Sequence, residues 1–437
     1  MVILKNFKNI FSIPELRKKL FFTLGVLIVY RLGTYIPVIG VDVNRLHDFM
    51  QQASKLSGLL GYLDVFSGGA LSQCTLFALG IMPYISASIM MQILGFTVPY
   101  FEQLLKEGEF GKKLINQYTR YVALGISVLY SSMYAVGLES YGLVLQPDWT
   151  FRFVFVVSLS VGCMAVMWLG EQISLFGIGN GTSMIIFAGI VARFPDYVIK
   201  TVHAVQTGRL DAVVGILIWL VFVAITACIV FLEKGDRKIP VQYARRVIGQ
   251  KVYGGQNTFI PFKINSASVM PVIFASSVLN IPLSIAGMLA KKYKFFSMVY
   301  EKMAQTGLFF NVLQFVLIVF FYFFYTSLVF SPSELADNIK KSGGFIPGIR
   351  PGRKTAEFFD HILTRLGLVG ATYLGVLAVF PNIMGAFVTM PFYLGGTALL
   401  IVVGVALDTS SQLESYPIEH NYEGFLSSGR LRGRGGR

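Results

Sequence analysis

The stretch AVVGILIWLVFVAITACIVFL, Ala212–Leu232, contains no charged side chain and a single hydroxyl, that of Thr226. About 20 apolar residues in a helix cross the hydrocarbon of a bilayer, so this stretch decides the fold class. Similar runs lie on either side of it, at 20–39, 75–98, 118–138, 152–172, 183–199, 267–289, 308–331, 367–385 and 392–409. That makes about ten candidate spans. Composition agrees: of 437 residues, 54% are hydrophobic and 14% charged, and the mean hydropathy is +0.64. Soluble domains carry about 25% charged residues, and one soluble core could not hide this much apolar surface. The expectation is an all-α polytopic membrane protein.

The net charge is +14. In a soluble chain that balance would suggest nucleic acid; in a polytopic one it marks cationic cytoplasmic loops beside anionic lipid. With segment 1–19 placed inside, cytoplasmic segments hold about 26 of the Lys and Arg residues and the other side about 11. Loops 233–266 and 332–366 supply about half of the larger share. The outer loop 290–307 runs against the trend, with Lys291, Lys292, Lys294 and Lys302. An even number of spans returns the tail, 410–437, to the cytoplasm. The basic-then-apolar start imitates a signal peptide, but 20–39 is long for one and lacks a small-residue cleavage site, so it reads as a retained first span.

Ten spans divide into halves of five with opposite orientation, 20–199 and 200–409, as in an inverted repeat around a midplane route. This division follows from the count, since no residue match between the halves is evident. Leu59–Cys74 is too short and too rich in small residues to cross. It reads as a re-entrant or plugging piece, tolerated at membrane depth only where protein or water surrounds it, with a plain outer loop as the alternative. Arg31 sits inside the first span, where an isolated charge costs about 2.5–3.5 kcal/mol. It should face protein or snorkel outward, and no partner for it is readable.

Several chemistries find no support. Cys74, Cys163 and Cys228 are scattered without C-x-x-C spacing, and His47, His203, His361 and His420 lie far apart. The Phe110–Lys113 stretch lacks the leading Gly of a nucleotide-binding P-loop, and Gly177-x-Gly179-x-Gly181 joins two apolar helices rather than a strand and a helix. Gly125–Val128 resembles a serine-protease box, but no span carries a His to act as base. No catalytic residue, cofactor or metal is expected, and the chain does not read as an enzyme. A solute transporter would also suit ten spans, yet these contain almost no Asp, Glu or His for a coupling ion. An RNA-binding role would rest on the short tail Arg430–Arg437, which cannot outweigh ten apolar spans.

Six groups of motifs carry a closer likeness. They are VFSGGALS (Val65–Ser72) with FALGIMPYISASI (Phe77–Ile89); WLGEQ (Trp168–Gln172) with GIGNG (Gly177–Gly181) and IFAGI (Ile186–Ile190); RKIPVQYARR (Arg237–Arg246); PVIFASS (Pro271–Ser277); GFIPGIRPG (Gly344–Gly352); and PFYLGGT (Pro391–Thr397) with LIVV (Leu400–Val403). In this order, over roughly 12–425, the chain resembles the SecY family. The resemblance implies a protein-conducting channel of ten helices, spans one to five facing spans six to ten, in the inner membrane. It also implies SecE-type and SecG-type subunits, a SecA motor or a ribosome on the cytoplasmic face, and signal sequences and unfolded secretory chains as cargo. Two departures stand out. Gln73 follows Ser72 where many bacterial relatives carry Arg, and the Arg–Gly tail is not a fixed family feature.

The same resemblance assigns residues. Ile81 and Ile85 share one helix face, as do Ile186 and Ile190; spacing alone favours lipid-facing or packing positions, and only the resemblance reverses that. With Ile273 and Ile401 they are implied to form an apolar pore ring, which excludes water and ions by dewetting. Asp64, Phe66, Ser67, Gly68, Gly69, Ala70, Leu71 and Ser72 are implied to be a re-entrant plug. Ser86, Ser88 and Gln92 on the second span and Ser276, Ser277 and Asn280 on the seventh suit a lateral gate. Arg237, Arg245, Arg246 and Arg350 match positions that meet the ribosome or motor.

Overall fold

A computed structural model describes residues 13–42, 45–46, 64, 66–243, 246–248, 251–253, 257–289, 294–303, 307–387 and 395–428. Helices come first: α1 (Pro14–Gly33), α2 (Met82–Thr97), α3 (Pro99–Lys106), α4 (Glu109–Ser140), α5 (Trp149–Phe176), α6 (Gly181–Val191), α7 (Phe194–Gln206) and α8 (Ala212–Glu233). Strands β1 (Asp236–Tyr243), β2 (Arg246–Ile248), β3 (Lys251–Tyr253) and β4 (Asn257–Lys263) follow. Then come α9 (Met270–Leu289), α10 (Lys294–Lys302), α11 (Leu308–Val329), α12 (Pro332–Lys341), β5 (Gly344–Phe345), α13 (Arg353–Phe387) and α14 (Gly396–Ser428). Prolines open α1, α2, α3 and α12, where a missing N–H costs nothing because it has no acceptor in the helix. Asn180 caps α6, its side chain accepting from the Thr182 and Ser183 amides.

Among the described residues, 7 helical segments are long and apolar enough to cross a membrane, or 8 if α2 and α3, bent by 96° at their junction, form one span. Of the ten expected spans, the first and seventh fall short of that standard. Helix α1 carries Arg17, Lys18, Lys19 and Arg31 within 20 residues, and only Met270–Leu279 of α9 qualifies as an apolar helix. The second span starts later than its hydropathy suggests. Residues 75–81 are turns and α2 begins at Met82. Thr75 bridges to Pro37, and Gly80 adopts φ +55°, a left-handed conformation incompatible with continuing a helix. The fifth span is interrupted at Ala192 and Arg193.

The spans are helical, but the two long loops add β-structure. Their sheet has the order β4-β1-β5. Strand β1 pairs antiparallel with β4 from Asp236↔Lys263 to Gln242↔Asn257, and with β5 through Gln242↔Phe345 and Tyr243↔Gly344. Strands β2 and β3 form a separate hairpin. Ile239, Val241 and Phe262 from the sheet bury against Ile339 of α12 and Phe359 and Ile362 of α13.

The chain divides into two compact units, one of residues 1–56, 60–196 and 405–437, the other of 57–59 and 197–404. In the first unit, α4 packs against both α2 and α5, and α5 against α1 and α6. Two forked ion pairs tie α4 to α5 near opposite ends: Arg120 with Glu171 (3.0 and 2.7 Å) and Arg152 with Glu139 (2.8 and 2.6 Å). Bidentate pairs of this kind fix geometry as well as adding energy. The non-helical segment before α2 lies against α5 where Gly162 has no side chain, since a Cβ there would overlap the Leu76 carbonyl oxygen. Gly162→Ala must displace that backbone and should cost about 1–3 kcal/mol. Gly125→Ala, with nothing within 4 Å of its Cβ, should be neutral or gain up to about 1 kcal/mol of helix propensity. Thermal denaturation in detergent distinguishes them, and equal melting of the Gly162 variant and the parent would contradict the close approach.

Candidate functional site

Residues 64 and 66–80 make a compact knot in the first unit, with turns from Ser67 onward. Ser67 organises its start: its hydroxyl donates to the Asp64 carbonyl and accepts from the Leu71 amide, both at 3.1 Å. The Gly69 amide reaches the same Asp64 carbonyl at 2.9 Å, and the Ser72 amide donates to Asp64 Oδ1 at 2.8 Å. Gly68 and Gly69 have φ of +66° and +93°, where a side chain would be strained. Phe66, Ala70 and Leu71 are buried. The eight expected plug residues therefore form one local structure.

Side chains of α1 and α4, the backbone of α6 and a side chain from the break after it grip this knot. Arg31 of α1 donates from Nη1 to the Gly68 carbonyl at 2.8 Å, which supplies the partner that sequence reading could not name. Its Nη2 donates to the Tyr35 hydroxyl at 3.1 Å. Tyr30, buried and stacked on Phe77, points its hydroxyl at the Ser67 carbonyl, 3.5 Å away. Tyr134 of α4 donates to the Leu71 carbonyl at 2.9 Å. Gly189 of α6 lets the knot come close, since a Cβ on Gly68 would stand 2.9 Å from the Gly189 Cα. Arg193, in the break between α6 and α7, pairs with Asp64.

Sequence reasoning missed Tyr30, Tyr134, Gly189 and Arg193. Gly189 lies within a motif already singled out, IFAGI; the two tyrosines look like ordinary span residues, and Arg193 is a charge inside the expected span 183–199 that went unremarked. Among the described residues no three His, Cys, Asp or Glu side chains gather. What this arrangement offers is a shaped segment in a fitted bed.

The ring candidates are placed as follows. Ile81 caps the start of α2 and is 2% exposed, and its carbonyl accepts from the Ile85 amide. Ile85 is half-buried. Ile186 and Ile190 of α6 are buried. A Cβ on Gly170 of α5 would touch both Ile81 and Ile185 at 3.4 Å, so the start of α2 and α6 converge on one glycine. In the second unit Ile401 is buried and Ile273 half-buried. There Gly404 of α14 passes close to Val269, with 2.6 Å left for a Cβ, bringing α14 beside the start of α9.

Of the gate candidates in the first unit, Ser86 and Ser88 are half-buried and Gln92 is exposed. Ser86 interacts with Tyr130 of α4. In the second unit Ser276 donates to its own helix, at the Val272 carbonyl, 2.7 Å away. The Ser277 hydroxyl is buried with no hydrogen-bond partner among the described residues. Asn280 lies on α9, its side chain outside the described set.

Of the docking candidates, two lie on the sheet or in the turn that follows β5. Arg237 is exposed on β1, and Arg350 is exposed in the turn before α13. That turn is closed by Thr355, whose hydroxyl donates to the Arg350 carbonyl at 3.0 Å. Gly348 and Gly352, at φ +82° and +99°, shape it. Arg246 is in β2, its side chain outside the described set, and Arg245 lies outside the described residues.

These features define a polytopic helical membrane protein with a buried non-helical segment between its first two long helices. The sequence model of the SecY family matches residues 75–410, and the chain belongs to the SecY family. It is 45% identical to the protein translocase subunit SecY of Streptomyces coelicolor over 441 residues, covering 97% of this chain and 100% of that one. It is 43% identical to that of Escherichia coli K12 over 430 residues, 97% of each.

Among solved structures, one described as a protein-conducting channel superposes with a TM-score of 0.65 at 18% identity, over 92% of this chain and 93% of the other. Another is described as showing that the SecY plug domain stabilises the closed state and maintains a membrane seal (TM-score 0.63, 18% identity, 92% and 93% covered). A third is Sec61 in the canine ribosome–channel complex (0.60, 17%, 92% and 93%). At these identities the structural likeness establishes the fold.

The seat of the knot can be tested with its own thiol. With Cys163 and Cys228 replaced by Ala, buried Cys74 is the remaining cysteine. Gly68→Ala should speed maleimide labelling of Cys74 several-fold, by prising the knot from Gly189. Gly142→Ala, with a similar φ of +67° but open space around it, should leave the rate unchanged. Equal rates for both variants would refute the glycine-on-glycine seat.

Proposed function

We infer that this chain is the channel-forming subunit of a protein translocase. It passes unfolded polypeptides across the inner membrane and releases apolar segments sideways into the bilayer. The observation that carries the reading is the near full-length identity to translocase subunits. The gripped segment before α2 gives the reading a physical mechanism.

At rest, Ile81, Ile85, Ile186, Ile190, Ile273 and Ile401 form an apolar waist that disfavours water and ions by dewetting. Such a waist also presents no hydrogen bonds to a passing chain. Asp64 and Phe66–Ser72 are the plug that closes it. The lateral gate lies between α2 and α4 on one side and α9 and α11 on the other. Its polar residues are Ser86, Ser88, Gln92, Ser276, Ser277 and Asn280; Ser276 donates to its own helix, so the seam holds by only a few interhelical hydrogen bonds of about 0.6 kcal/mol each, roughly 2 kcal/mol in total. A signal sequence with about ten apolar residues gains roughly 3–6 kcal/mol on entering lipid. Cargo therefore opens the seam by partitioning, with no chemical step, and the chain is not an enzyme.

Ten spans in two inverted halves, with α1 and α9 as first and seventh, place both termini in the cytoplasm. SecE-type and SecG-type subunits complete the complex. Arg237, Arg245, Arg246 and Arg350 receive a ribosome or a SecA-type motor, a role suited to the planar fork of guanidinium. The ribosome-bound state of the Sec61 neighbour supports that partner.

Crosslinkers at Ile81 and Ile190 should capture a stalled secretory chain in the assembled complex, and failure at both positions would reject the route. Deleting Asp64–Leu71 should leave a folded complex with raised resting ion conductance in a planar bilayer; unchanged conductance removes the plug role. Arg350→Glu should lower motor-driven export several-fold while membrane insertion continues. Normal motor-dependent transport by that variant would exclude Arg350 from docking.

A further inference from the structure

We propose that Arg193 is the positioning residue of the closed plug, and that its pairing with Asp64 is a latch released by wetting. The proposal rests on the plug reading above and goes beyond it by naming what holds the plug and what frees it.

The geometry is specific. The Arg193 and Asp64 side chains are 14% and 10% exposed, so the pair is largely shielded from solvent. The Asp64 carboxylate has two tasks at once. Its Oδ2 meets Arg193, while Oδ1 accepts the Ser72 amide at 2.8 Å. One side chain thus ties the plug into a closed loop and ties that loop to the wall. The Arg193 guanidinium also lies over Gly69, where a Cβ would stand 2.8 Å from Cζ, so a side chain at 69 would push the latch apart. On α1, Arg31 holds the neighbouring Gly68 carbonyl at 2.8 Å. Arg193 owes its place to the interruption of the fifth span, which leaves it in the turn between α6 and α7.

A shielded ion pair contributes little net stability, because desolvating both ions offsets their attraction, yet removing one partner strands the other. Such a pair specifies one position rather than strengthening the fold. Its attraction also depends steeply on the local dielectric. With the waist dry, the pair is strong. When a polar chain brings water into the conduit, both ions are rehydrated and the same pair weakens. The latch therefore responds to cargo without touching any particular cargo residue.

The test uses the assembled complex in planar bilayers, measuring resting ion conductance and melting temperature for each variant. Arg193→Gln and Asp64→Asn should each raise resting conductance about tenfold, the change that about 1.4 kcal/mol makes in an equilibrium constant. Arg193→Lys, which keeps the charge, should leak less than Arg193→Gln. The double variant Asp64→Asn/Arg193→Gln should leak no more than the worse single, because both remove one interaction. Asp64→Asn is nearly isosteric and keeps the test alive if Arg193→Gln fails to assemble. Wild-type conductance in the singles, or multiplicative effects in the double, would overturn the latch. The Asp64–Leu71 deletion separates the two ideas. If it leaks while the singles do not, the latch is wrong and the plug reading stands; if the deletion does not leak, the plug reading itself fails.

Discussion

Backbone removed from water must place every N–H and C=O, and helices do this without help. Residues 67–81, which lead into α2, are not helical, so their buried groups need partners from within the segment and from the helices around it. The account is nearly all local. Cys74 N reaches the Leu71 carbonyl, Thr75 N that of Ala70, Ala78 N that of Thr75 and Gly80 N that of Phe77. Where local partners run out, the chain after α1 steps in: Leu76 N donates to Ile36 O and Val38 N to Cys74 O. Neighbouring side chains add to this: Tyr30, Arg31 and Tyr134 donate to the carbonyls of Ser67, Gly68 and Leu71, and the last of these also takes the Cys74 amide. An irregular segment that satisfies most of its own backbone and takes three bonds from fixed neighbours has one good seat.

Much of this fold could be read from the sequence, because the bilayer imposes a simple rule on it. Uncharged runs such as Ala212–Leu232 became helices as expected, and VFSGGALS marked the irregular segment through its paired glycines. What could not be read were pairings between distant residues. Arg193 and Asp64 are far apart in sequence, so the charge of Arg193 inside the expected span 183–199 called for a partner without naming one. Arg31 made the same demand in the first span, but its partner was a carbonyl, which carries no side-chain signature. The hydropathy of residues 75–81 suggested a continuing helix, yet bridge formation at Thr75 and the φ of Gly80 prevailed. The loop strands escaped notice because β1, DRKIPVQY, alternates apolar and polar residues over only a few positions.

Polar side chains in the helices largely serve their own backbone. The hydroxyls of Ser132, Ser140, Ser276 and Thr372 all donate to the carbonyl four residues earlier, the usual habit of Ser and Thr in helices. Exceptions therefore stand out. In the second unit, Asn382 of α13 donates to Asn311 and Gln314 of α11 at 3.2 and 3.4 Å, all three buried. This amide cluster sits beside Pro381 and fastens α13 to α11 next to the residue that interrupts the helical bonding of α13.

The pairing of β1 with both β4 and β5 has a mechanical corollary. Strand β1 begins soon after α8 ends, and β5 leads through the Arg350 turn directly into α13. Two loops distant in sequence are thereby welded into one stiff bracket, with its own small core under it. Force applied at the Arg350 turn cannot be absorbed by a slack loop. A load placed there would reach the ends of α8 and α13 together.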